Sequence, residues 1–323
     1  MITVQMAPTA KMIMENVVAL KKGEQVLILT DTARPSTITE VLAIMAQAVG
    51  AEVTVMMMTP REMGGVEPPP TVAAAMRTAH VIINQTSHSL THTNAQREAI
   101  KAGARVCNIR EFDEKMMIEG GVTADYVKVK DITEKLAKIL TEGKRVRITT
   151  KEGTDLSFNI EGRKAFVLAG FATKPGEFSG LPDGEAAIAP LEGSTEGMIV
   201  NPYLVEKIGP VQGPLKIEVK EGMIINIEGG ETAQALNDII KRKEKNVRTF
   251  AAEFALGTNP NSLLVPKSRE VKKKLGTCHV ALGDNLSLGG LTEASIHLDV
   301  IMLQATVHLD GNPLLLEGKP LFL

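Results

Sequence analysis

Between Val26 and Ile109 the chain alternates short, continuously apolar runs with stretches whose apolar residues recur at helical spacing. Val26-Leu-Ile-Leu-Thr30, bounded by turn residues, reads as a strand covered on both faces. Val53–Met57, His80–Asn84 and Arg105–Ile109 are expected to be strands as well. Helical spacing covers Ala7–Leu20, Thr37–Ala48, Thr71–Ala79 and Asn94–Ala102, with Gly50 just past the end of the second helix. Strands that alternate with helices pair in parallel through right-handed crossovers. Residues 1–143 are therefore predicted to form a Rossmann-like α/β domain with a parallel sheet.

The texture changes after Gly143. Arg145–Thr150, Asp155–Ile160, Pro214–Val219 and Met223–Ile227 are short strand-like segments punctuated by glycine turns. One long helix is expected among them, Glu231–Lys243, and its basic run Lys241–Lys245 reads as a solvated helix end. This pattern predicts a mostly antiparallel α+β domain over 144–323, and the metal-binding candidates identified below all fall within it. A chain of 323 residues is long enough for both domains.

Composition narrows the function. A net charge of −2 and an aromatic content of 3%, with no Trp, argue against nucleic acid and against an anionic membrane surface. No apolar stretch is long enough to span a bilayer, and no basic-then-apolar leader is visible, so a cytoplasmic enzyme is expected. Cys107 and Cys278 form no CxxC, and no disulfide is expected. The turn after the first strand is Asp31-Thr-Ala-Arg-Pro35 rather than GxGxxG, and there is no Walker A motif, which disfavours a dinucleotide.

The chemistry concentrates in the second half. His297 and Asp299 stand two apart in the apolar run Ala294–Leu303, so in a strand they share one face. Two polar groups converging inside so apolar a strand need a common partner, and a metal ion supplies one. Glu185 follows the turn Gly180-Leu-Pro-Asp-Gly184, Glu253 lies in Ala252–Pro260, and His279 lies in Gly276–Gly283. Taken singly, His279 reads as a core histidine, Glu185 as a turn residue and Glu253 as the partner of a basic side chain. Taken together they are candidate ligands, and Ala251, Ala255 and Ala281 leave room for an ion and a substrate. Both histidines with one carboxylate would suit non-haem Fe(II). All five residues would suit two ions bridged by Asp299, about 3.5–4 Å apart, in a hydrolytic arrangement. Zn, Mn, Co and Fe are all compatible with such a donor set.

A second cluster, Asn84–Asn94, follows the third predicted strand, where carboxyl ends open onto ligand crevices. Here His92 is a candidate general acid/base and substrate contact, with His88 behind it, while Thr93 or Asn94 caps the next helix. Arg34 and Arg110 end predicted strands and are candidates for a substrate carboxylate; His80 and His308 read as structural or surface residues.

The segments LPDGEAAIAP with EGSTEG, then EFALGTNP, HVALGDN and SIHLD, resemble the aminopeptidase T family of metallopeptidases and its relative, 2,5-dihydroxypyridine 5,6-dioxygenase. The resemblance covers most of the chain and is strongest from Gly180 to Met302. It implies a parallel α/β domain joined to a metal-bearing domain, a homodimer, and a pair of divalent ions on Glu185, Glu253, His279, His297 and Asp299. A small molecule or short peptide would be the substrate. The dioxygenase branch implies instead one iron held by two His and an Asp. In the peptidases a functional Tyr closely follows the His of the HVALG segment; here the positions read Asp284-Asn285-Leu286, and Asn285 is the candidate substrate contact. The leading expectation is a metal-dependent hydrolase in which a carboxylate such as Glu185, or His92, moves the proton. A ring-cleaving dioxygenase is the alternative, and a metal-binding protein without turnover the third.

Overall fold

A computed structural model describes residues 1–323 with the exception of His92. The chain divides into two compact units, Met1–Thr123 with Gly170–Asp183, and Ala124–Ala169 with Gly184–Leu323. These limits differ from the expected boundary at 143/144. One reason is a helix with no counterpart in the sequence reading, which packs within the second unit; another is the segment 170–183, which returns to the first.

The first unit carries α1 (Ile2–Met12), β1 (Gln25–Asp31), α2 (Ser36–Val49), β2 (Glu52–Met58), α3 (Pro70–Met76), β3 (Val81–Gln85), α4 (Asn94–Lys101) and β4 (Arg105–Asn108). Its sheet is parallel throughout, in the order β2-β1-β3-β4-β8, where β8 is Phe178–Gly180. Every residue of β3 and β4 is buried, as covered parallel strands require. Gly50 closes α2 in the left-handed conformation at φ +88°, where its N–H bonds back to Gln47 O at 2.8 Å. Thr93 caps α4 by accepting from Gln96 N. The first helix starts earlier than expected and runs through Pro8, and its last turn, Ile13–Val17, widens to a π-helix.

In the second unit α5 (Tyr126–Glu142) precedes β5 (Arg145–Thr149), β6 (Asp155–Asn159) and β7 (Phe166–Leu168). The chain continues with β9 (Glu185–Ile188), β10 (Glu196–Val200), β11 (Leu204–Val205), β12 (Gly209–Pro210), β13 (Leu215–Lys220), β14 (Met223–Gly229) and α6 (Glu231–Lys241). It ends with β15 (Phe250–Gly257), α7 (Ser268–Val271), β16 (Cys278–Gly283), β17 (His297–Met302), β18 (Thr306–Leu309), β19 (Asn312–Leu316) and β20 (Lys319–Pro320). The strands make two antiparallel sheets, ordered β14-β13-β10-β6-β5-β18-β19-β20 and β12-β11-β17-β16-β15-β9-β7. The helix missing from the sequence reading is α5. Asp125 caps it by accepting from Val127 N and Lys128 N, and Val129, Thr133, Leu136, Ala137 and Leu140 make its buried stripe against β7 and β9.

The two antiparallel sheets bury one core between them. Val146, Ile148, Phe158 and Ile217 come from the larger sheet; Ile188, Phe254, Val280, Leu298 and Val300 come from the smaller. Phe158 and Phe254 meet with ring centroids 5.3 Å apart. Among the described residues, no helix is long and apolar enough to cross a membrane. Cys107 and Cys278 are buried, and neither is in a disulfide.

Candidate metal centre

Alternation along the strands of the smaller sheet builds the site. On β15, Phe254 and Leu256 enter the core, so Glu253 and Ala255 take the opposite face. The same parity puts His279 and Ala281 of β16 opposite Val280 and Leu282, and His297 and Asp299 of β17 opposite Leu298 and Val300. Glu185 of β9 is placed likewise, opposite Ala186 and Ile188. Register then assembles the group. Ala281 lies between Glu253 and Asp299 on the neighbouring strands, and His279 lies between Ala255 and Ile301. Ala255 and Ala281 stand in the row of ligands and are fully buried, whereas Ala251, expected beside the site as well, packs into the hydrophobic core. Gly184, immediately before Glu185, holds φ +127°, and a Cβ there would lie 2.8 Å from Asn259 Cβ; only glycine fits that approach.

All five candidate ligands come together. Glu185, Glu253 and His279 form one group, and Glu253, His297 and Asp299 form another; within each group the donor atoms lie within 4.8 Å of one another. Glu253 belongs to both groups, whereas Asp299 was the expected bridge. The reason is strand order: β15 stands between β9 and the β16–β17 pair, so its carboxylate is central and Asp299 is terminal. Glu253 Oε2 is 2.9 Å from His297 Nε2 and Glu253 Oε1 is 3.5 Å from His279 Nε2. Asp299 Oδ1 lies 3.2 Å from His297 Nε2, and Glu185 Oε2 lies 3.7 Å from His279 Nε2. His279 and Asp299 have no exposure, while the His297 side chain retains 29%.

The residues fit a metal. Glu185 Oε2, Asp299 Oδ1 and both ring nitrogens of His279 are buried without a hydrogen-bond partner. Buried polar atoms rarely go unpaired, and here the orphans are ligand-type atoms in one place. His297 Nδ1 is 2.7 Å from the Asp284 carbonyl; donating there, it turns Nε2 toward the carboxylates, the atom a ligand would offer to a metal.

Two lysines that the sequence reading passed over complete the site. Lys272 Nζ is 2.6 Å from Asp299 Oδ2, and Lys273 Nζ is 2.5 Å from Glu185 Oε1. The triplet Lys272–Lys274, set just before the buried strand β16, was the available signal. The electrostatics follow from this packing. Burial disfavours the charge on Glu253, but the imidazoles of His279 and His297 that face its two oxygens outweigh it and hold the carboxyl well below its usual range. Burial is likewise overcome at Asp299, chiefly by the Lys272 charge, and its carboxyl is lowered. At His297 and Lys272 the surrounding carboxylates outweigh burial and raise the pKa.

The remaining candidates are placed otherwise. Asn285 is fully buried, and both ends of its amide are engaged: Nδ2 donates to Glu192 Oε1 at 3.0 Å, and Oδ1 accepts from Thr292 N at 2.8 Å. It therefore holds the loop between β16 and β17 instead of presenting its amide to a substrate. His88 is half-buried in the first unit, in the segment after β3, and His92 lies outside the described residues. His80 accepts from Gln25 N through Nδ1, a structural role, and His308 sits within β18. Arg34 and Arg110 follow β1 and β4 at the carboxyl end of the parallel sheet.

Residues 10–321 match a family described as 2,5-dihydroxypyridine 5,6-dioxygenase, NicX. Among solved structures, 2,5-dihydroxypyridine dioxygenase from Pseudomonas putida KT2440 superposes with a TM-score of 0.81 at 18% identity, over 99% of this chain and 97% of that one. Wild-type AmpT from Thermus thermophilus superposes with a TM-score of 0.74 at 15% identity, over 98% and 99%. No curated protein matches the sequence. At such identities the two structures establish a common fold, the parallel sheet with helices and the two antiparallel sheets described above.

Proposed function

The chain belongs to the 2,5-dihydroxypyridine 5,6-dioxygenase family, and we propose that within it this protein is a metal-dependent hydrolase that cleaves a peptide or other amide bond. The observation that carries this reading is the composition of the two groups: each has one histidine and two carboxylates, and they share Glu253. A mononuclear Fe(II) oxygenase draws on two histidines and one carboxylate, whereas two overlapping carboxylate-rich groups suit a pair of divalent ions. Such ions, when bound, would polarise a carbonyl oxygen and make water nucleophilic at neutral pH.

The chain's own side chains would do the rest. Glu253 would link the two positions, and Glu185 with His279, and Asp299 with His297, would complete them. Glu185 is also the proposed proton carrier: Lys273 holds its Oε1, and Oε2 is free of hydrogen bonds. Ala187, Ala255 and Ala281 share the ligand face and would be the small side chains beside a substrate.

Ring cleavage of a hydroxylated N-heterocycle at a single iron is the second reading, and the family match favours it. One experiment separates the two. Protein purified without oxygen is loaded with Zn, Mn, Co or Fe(II), its metal counted by elemental analysis, and assayed with aminoacyl anilides and with 2,5-dihydroxypyridine under oxygen-uptake recording. Two ions per chain with amine release is the expected result. One iron per chain with oxygen consumption would replace the hydrolase reading by the dioxygenase one.

A further inference from the structure

Three carboxylates are buried in one cluster, Glu253 lying within 4.8 Å of Glu185 in one group and of Asp299 in the other, an arrangement that repels itself unless cations are present. The fold supplies two. Lys272 and Lys273 follow α7 directly, and although they are neighbours in sequence they serve different strands. Lys272 reaches Asp299 on β17, and Lys273 reaches Glu185 on β9. Their side chains are 16% and 10% exposed, so both ion pairs are shielded from water.

The pattern is selective at the level of single oxygens. Lys272 takes Oδ2 of Asp299, and Oδ1 is left facing His297 Nε2 at 3.2 Å; Lys273 takes Oε1 of Glu185, and Oε2 is left facing His279 Nε2 at 3.7 Å. Each group therefore has one ammonium holding one oxygen of its terminal carboxylate, while the other oxygen faces a histidine. Glu253, common to both groups, faces the histidines.

We propose that Lys272 and Lys273 are the site's built-in counter-ions, which hold the carboxylates together in the metal-free protein and keep the affinity for divalent ions low enough for exchange. The inference rests on reading the cluster as a metal centre. Its sign follows from two arguments. An ammonium bonded to a ligand carboxylate stands close to the ion and repels it, little screened in a buried site. Whatever stabilises the ion-free state also weakens ion binding by linkage. Lys272 and Lys273 are thus positioning residues, and the metal-free chain stays folded because of them.

The test uses the full chain stripped with chelator, with Zn2+ and Mn2+ as probes in competition against a chromogenic chelator, and thermal unfolding read in parallel. Lys272→Met and Lys273→Met keep the apolar stem and remove the charge; Lys272→Arg keeps the charge. Each Met variant should bind the ions about tenfold tighter or more, with a lower Tm when stripped and a larger metal-induced rise in Tm. Lys272→Arg should stay near wild type. Should one Met variant fail to fold when stripped, the other gives the same reading. Wild-type binding with unchanged or weaker affinity in the Met variants would overturn the proposal while leaving the metal centre intact. If no form binds either ion, the metal reading fails and the inference falls with it.

Discussion

The two faces of the smaller antiparallel sheet are both largely shut off from water, with His297 the partly exposed member of the ligand face, and they are chemically opposite. On one face Phe254, Leu256, Val280, Leu298 and Val300 pack against the larger sheet. On the other, one residue along each strand, stand Glu185, Glu253, His279 and Asp299. Burial by itself therefore says little about what a residue does. The first face gains from leaving water, at about 25 cal/mol per Å2 of apolar surface. The second loses by it, and holds together through charge pairs whose remaining atoms lack partners. Stability should respond mainly to changes on the first face, and ligand binding to changes on the second.

The largest stability effect should come from the core face. Phe254→Ala removes a fully buried ring that meets Phe158, and should cost about 3–5 kcal/mol. Denaturant unfolding should show this loss, while the folded fraction still takes up metal in the wild-type ratio. A site-face change should reverse the pattern. Glu253→Gln should empty both ion positions together, because Glu253 is common to the two groups, whereas Asp299→Asn should empty one. Elemental analysis after dialysis decides this, and if Glu253→Gln retained one full equivalent, the sharing of Glu253 would be refuted.

A smaller effect is expected at the rim. Glu192 accepts from Leu291 N at 2.7 Å and from Asn285 Nδ2, and it pairs with Arg163, which pins the loop carrying Asp284. Burial raises its pKa, but these bonds outweigh burial and the carboxyl ends lower than usual. A lowered folded-state pKa contributes stability that is present above the ordinary carboxylate range and lost as pH falls through the lowered value. Glu192→Gln should therefore cost about 1–2 kcal/mol at pH 7. The gap in Tm from wild type should close as the pH is taken below about 4.

Much of this contrast can be read from the residues, because parity is a local property. Val26–Thr30 lies inside β1, and the apolar runs around Glu253, His279, His297 and Asp299 place those side chains opposite core residues before any partner strand is known. What could not be read depends on which strands become neighbours. Glu253 rather than Asp299 is shared because β15 is central, and strand order is not written in any single segment. The ion pairs of Lys272 and Lys273 span from the turn before β16 to β17 and β9, so a basic triplet looks like solvated surface until the sheet is assembled. Phe178–Gly180 joins the parallel sheet beside β4 through a short run with no periodicity of its own. The α5 stripe, by contrast, has helical spacing and an Asp125 cap, and was legible in principle.

The hydrogen bond that orients His297 ends on a main-chain carbonyl, that of Asp284. A carbonyl is present whatever side chain the position bears, so mutation at 284 cannot delete the acceptor. A substitution at 284 would reach the imidazole only through the backbone of the loop, which Asp284 Oδ2 helps to hold by accepting from Ala294 N at 3.3 Å.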